Sequence, residues 1–162
     1  SYYNKVLEQA PENFFALQRL GMLSAKREKP QKAVKYLEKA LQQRPDNAQL
    51  LQKLGKLYAE EEDKYRALAM FSRYVALDTE NGEGHRALAA ICRDLGWRQA
   101  AKEQLKLAFQ KGSHQGQTAY DLALLFASEE PPRLKIARRW LKKARRHGVS
   151  VSPEIERVVS QE

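Results

Sequence analysis

Leu20-Gly21 recurs 34 residues later as Leu54-Gly55, and Ala33 recurs at the same interval as Ala67 and Ala101. The stretch from Tyr36 to Asn47 (YLEKALQQRPDN) echoes the one from Tyr2 to Asn13 (YYNKVLEQAPEN). No other feature restricts the possible folds as much. A unit this short cannot bury its apolar face alone, so copies must stack, each covering the next. The 162 residues hold four such units and a partial one. A stack of this kind exposes a long surface, and presenting that surface to a partner is the class of function it implies.

Within each unit the apolar residues fall at helical spacing, as in Leu17, Leu20 and Leu23, then Val34, Leu37 and Leu41. Pro30 separates these two runs at a place where proline can open a helix. Arg44-Pro45-Asp46-Asn47 makes a second break, in which Asp or Asn can cap the next helix. The pattern predicts helices over 14–27, 30–43, 48–60, 64–77, 82–95, 98–110, 116–128 and 133–147, with a truncated one over 2–10. Ser152-Pro153-Glu154 reads as cap, first-turn proline and first-turn acid, opening a last helix that bears Ile155, Val158 and Val159. Because the chain starts inside what should be the second helix of a unit, it reads as part of a longer protein. The helix over 14–27 would then have only a fragment on one flank. Fraying of residues 1–10, or self-association through that end, is the expectation.

The small and large residues at fixed places resemble the tetratricopeptide repeat family. Gly21, Gly55, Ala89 and Ala123 occupy the family's small position 8, and Ala33, Ala67 and Ala101 its alanine position 20. Leu37, Phe71 and Leu105 occupy the large apolar position 24. Ala40 and Ala108 meet the small position 27, where Tyr74 departs. Pro11 and Pro45 match the proline near position 32, which Thr79 and Ser113 replace. The resemblance implies an all-α, right-handed α-solenoid, with repeats at 14–47, 48–81, 82–115 and 116–149, a partial repeat at 1–13 and a capping or next-repeat helix at 152–162. The last repeat differs. Glu129-Glu130-Pro131-Pro132 lengthens its internal turn, placing Ala137, Leu141 and Ala144 on positions 20, 24 and 27. The run from Ala137 to Ala144, closing on His147-Gly148, is also similar to a Sel-one-like repeat.

Composition excludes several classes. Hydrophobic content of 43% and charged content of 30% describe a folded chain. No apolar run spans a bilayer, and no stretch reads as a signal peptide. The single cysteine, Cys92, allows no internal disulfide and favours a reducing compartment, cytoplasmic or nuclear. Asn81-Gly82-Glu83-Gly84-His85 lacks the strand that phosphate loops require and reads as an inter-repeat turn. His85, His114 and His147 share no ligand spacing, so no metal or cofactor is expected. Cys92, Trp97 and Trp140 read as packing residues. The acidic run Glu60-Glu61-Glu62-Asp63 reads as a solvated turn. No nucleophile, base and orienting group can be assembled, so catalysis is not expected.

Two surfaces remain. By resemblance, the first helix of each repeat lines a concave groove, presenting Gln18, Arg19, Met22 and Lys26, then Gln52, Lys53 and Lys56. Arg86 and Arg93 follow, then Tyr120, Asp121 and Leu124. Cationic heads between apolar ends suit a peptide with some acidic residues. The two-carboxylate clamp with which some relatives grip chaperone tails is not matched: its places hold Gln18, Met22, Lys53, Glu83 and Ala87, or one repeat later Gln52, Lys56, Ala87, Gln117 and Asp121. The second surface explains the net charge of +9, since residues 131–147 carry eight Lys or Arg and no acid. Arg138, Lys142 and Arg145 line one exposed flank of that helix and Arg139, Lys143 and Arg146 another. It can bind RNA or another polyanion, meet an acidic protein surface, or stay solvated. The overall expectation is a scaffold for a protein or peptide partner.

Overall fold

The computed structural model describes residues 2–160. Among them are ten helices and no strand: α1 (Tyr2–Gln9), α2 (Phe14–Lys26), α3 (Pro30–Gln43), α4 (Ala48–Glu60), α5 (Lys64–Leu77), α6 (Gly82–Asp94), α7 (Arg98–Gln110), α8 (Gln115–Ala127), α9 (Leu134–Arg146) and α10 (Pro153–Ser160). The first nine lie within about a residue of the helices expected from the spacing of apolar positions; α10 covers 153–160 of the helix expected over 152–162, whose last two residues lie outside the described ones. Together they form an α-solenoid of adjacent helix pairs. The chain falls into two compact units, Ser1–Asp78 and Thr79–Glu162. In the first, α2 pairs with α3 and α4 with α5, while α1 lies against α2. In the second, α6 pairs with α7, α8 with α9, and α10 rests on α9.

Helix starts are set by asparagines at the repeat interval. The Oδ1 atoms of Asn13, Asn47 and Asn81 accept from the amides of Ala16, Leu50 and Gly84 at 3.0, 3.0 and 2.9 Å. Each satisfies one of the orphan donors of a first turn. The internal turns are set by a left-handed residue two places after the helix. It is Glu28 at φ 54°, Glu62 at φ 59° and Gly96 at φ 78°. The next amides, of Lys29, Asp63 and Trp97, reach back to the carbonyls of Ser24, Tyr58 and Cys92 at 3.0, 2.8 and 2.8 Å. This closes α2, α4 and α6 with the same Schellman-type turn.

Within each pair the helices meet through small residues. Ala33, Ala67, Ala101 and Ala137 are all at 0% exposure. A Cβ at Gly21 would stand 2.5 Å from Leu37 Cδ2, and one at Gly55 would stand 2.9 Å from Phe71 Cζ. Those glycines are what lets the large residue of the second helix press against the first. Tyr74 takes the place held elsewhere by Ala40, Ala108 and Ala144 and is still buried. Tyr58 is also buried, and its hydroxyl donates to Glu38. Burial, reinforced by that carboxylate, pushes the phenol up to about 12.

Candidate functional site

In the first unit, α2 and α4 bury Leu17, Leu20 and Gly21, and Leu50, Leu51, Leu54 and Gly55. Helical geometry then leaves Met22, Ala25 and Lys26 of α2 beside Gln49, Gln52, Lys53 and Lys56 of α4. These seven line a groove of about 400 Å³. Its charged groups are three ammonium heads, and it contains no carboxylate. None of the three forms an ion pair among the described residues. Five of the lining residues are ones the sequence pointed to, and Ala25 and Gln49 are additions. Gln18 is tied to Gln49, its Nε2 donating to Oε1 at 3.1 Å. Arg19 is exposed and stands outside the lining.

The second unit has a smaller counterpart on α6 and α8. Arg86, Ala89, Ala90 and Arg93 of α6 face Asp121 and Leu125 of α8 over Leu105, around a cavity of about 90 Å³. Asp121 accepts from Gln117 Nε2 at 2.9 Å, and Arg93 Nε lies 3.6 Å from Asp94. Tyr120 is half-buried and Leu124 is exposed, and neither lines this cavity. At the start of α6, Glu83 accepts from the Ser113 hydroxyl at 2.8 Å and lies 2.6 Å from His114 Nδ1. The Ser113 hydrogen bond, with the neighbouring His114 and Arg86, holds the Glu83 carboxyl below its usual range.

On α9, Ala137, Leu141 and Ala144 are buried. Arg138 is half-buried and donates to the Val159 carbonyl, while Arg145 pairs with Glu156. The flank expected to be free is thus partly taken by α10, whose first turn brings the Glu156 carboxylate beside it. Lys143 Nζ lies 4.1 Å from the Trp140 ring centre, and Trp140 meets Phe109 edge-on at 5.2 Å. Arg139, Lys142 and Arg146 are exposed.

Other residues take quieter positions. His85 is 4% exposed, with ring nitrogens 2.8 Å from Gln104 Oε1 and 3.1 Å from the Thr79 carbonyl. Burial pushes the Cys92 thiol up. Asp63 of the acidic run caps α5, and Glu61 accepts from Gln31. Gly82 and Gly84 lie in the first turn of α6 itself, with Gly82 close against Ser113. Trp97 corrects the sequence reading: it is 47% exposed and sits at the start of α7, where its backbone closes the turn while its ring stays outside the core. No described helix is long and apolar enough to cross a membrane, and no cluster of three potential metal ligands occurs among the described residues.

A tetratricopeptide repeat family model matches residues 24–91. No curated protein sequence matches the chain. Among solved structures, MamA is similar with a TM-score of 0.81 at 22% identity, over 90% of this chain and 84% of that one. YrrB, described as a TPR protein with an unusual peptide-binding site, gives 0.74 at 18% identity over 91% and 75%. PilF of Pseudomonas aeruginosa gives 0.73 at 20% identity over 92% and 67%. These likenesses support the tetratricopeptide reading of the repeat and show a shared fold.

Proposed function

We propose that the protein is an interaction scaffold that holds a partner's peptide segment against the first helices of its repeats. The observation that carries this is the α2/α4 groove, where Lys26, Lys53 and Lys56 line about 400 Å³ with no acidic residue among the lining. Three cations with no ion pair among the described residues, set around an open groove, match carboxylates on an incoming chain. Met22 and Ala25 offer apolar contact between them, which favours a peptide over a small anion. In the second unit, Arg86 and Arg93 frame a cavity of about 90 Å³, the size of one side chain rather than a segment. The likeness to YrrB, itself a peptide-binding protein, supports the reading.

The test is a peptide-display selection on the wild-type protein, followed by affinity measurements on a Lys53→Glu, Lys56→Glu double variant. Selected peptides should be rich in Asp or Glu around an apolar residue. Reversing both charges should weaken them by roughly tenfold, each exposed pair contributing on the order of 0.2–1 kcal/mol before repulsion is added. Stability should hardly move, because neither lysine has an ion-pair partner among the described residues. Unchanged affinity would place the site elsewhere.

A further inference from the structure

We infer that the outward face of α9 is a second, separate docking surface, and that its partner is an acidic helix of another protein. The eight basic residues of 131–147 divide sharply in the structure. Arg133 pairs with Glu129 at 3.0 Å, Arg145 with Glu156, and Arg138 donates to Val159. Lys143 lies over Trp140 and Phe109. Lys135, Arg139, Lys142 and Arg146 remain, all exposed, and none has an ion pair among the described residues. They stand at i, i+4, i+7 and i+11, one straight stripe about 17 Å long at about 1.5 Å per residue.

Helix energetics favour only one end of this stripe, where Arg146 lies in the last turn at the negative pole of the macrodipole. Like charges at i,i+3 and i,i+4 destabilise a helix, and Lys135 sits in the first turn, where the macrodipole disfavours cations. The first turn of α9 has no acid to offset it. An ordinary solvated face mixes signs, as on α7, where Lys106 lies 3.1 Å from Glu103. The stripe on α9 is therefore a field waiting for an external counter-charge.

The chain itself shows what kind of element this helix accepts. On its other flank α9 already carries α10, a short helix with Glu154 and Glu156 in its first turn. A second helix with carboxylates at i, i+4, i+7 and i+11 would meet all four of these cations. Nucleic acid fits less well. Packing on α8 and α10 keeps α9 from entering a major groove alone. Trp140, half-buried, edge-on to Phe109 and covered by Lys143, is no free platform for base stacking. Membrane insertion is disfavoured because the stripe exposes no apolar side chain.

The probe is a fluorescein-labelled, helix-forming peptide with Glu at i, i+4, i+7 and i+11. A scrambled peptide of the same composition and a single-stranded RNA of equal charge serve as comparisons. Anisotropy at about 0.15 M salt should show the ladder peptide binding at least tenfold tighter than the scrambled one. The preference should vanish in a Lys135→Glu, Arg139→Glu, Lys142→Glu, Arg146→Glu variant, while peptides of the α2/α4 groove bind that variant as before. Equal binding of ladder and scrambled peptides overturns the inference. So does RNA binding that exceeds the ladder peptide and falls with salt at about 0.7 per phosphate neutralised.

Discussion

Glu28 and Glu62 hold backbone conformations at φ 54° and 59°, where the third repeat has Gly96 at 78°. A left-handed conformation costs an L-residue about 1–2 kcal/mol, and the Schellman-type turn requires it whatever residue is present. Glu62 is exposed, so Glu62→Gly should stabilise the protein by about 0.5–1 kcal/mol after the extra unfolded-state entropy of glycine is counted. A urea midpoint that rises with unchanged slope would show it; a fall would mean the glutamate holds the turn in a way the geometry does not reveal. This position was hidden in the sequence, because the glycine that marks such turns is present in only one of the three. The asparagine caps were legible, since Asn13, Asn47 and Asn81 stand at the repeat interval. Trp97 was not, because an aromatic at a helix start reads like core until the turn is built.

At the scale of elements, the long turn after α8 is held by a half-hidden charge cluster. Lys102 and Glu129 form an ion pair with side-chain exposures of 7% and 17%. Lys102 also lies 4.8 Å from the Phe126 ring centre, and Arg133 reaches the other Glu129 oxygen at 3.0 Å. Removing one member of a buried pair leaves the other desolvated, which costs more than the pair itself contributes. Glu129→Ala should therefore destabilise by about 2–4 kcal/mol, and adding Lys102→Met should recover most of it, since methionine fills the same space without a charge. Additive losses in that double-variant cycle would contradict the account. Helix positions were readable because apolar period, proline and asparagine all agreed. The Lys102–Glu129 pair was not, since it depends on a lengthened turn folding back on α7, which no local pattern encodes.

Across the whole molecule, function rests on what the repeats leave exposed once their pairs are packed. The resemblance to tetratricopeptide repeats pointed to the first helices, and Met22, Lys26, Gln52, Lys53 and Lys56 do share one groove. Arg86 and Arg93 share a separate cavity. Gln18, Arg19, Tyr120 and Leu124 do not line either, because a shift of one position around a helix moves a side chain to its rim. The charge of residues 131–147 was plain in the sequence, whereas its division into paired and free cations needed α10 in place. The most direct measurement of the central claim is an amide chemical-shift map of the protein titrated with a display-selected acidic peptide. The account predicts the largest shifts at Met22, Ala25, Lys26, Gln49, Gln52, Lys53 and Lys56. Shifts confined to α3, α5 or α9, with those seven residues unmoved, would contradict it.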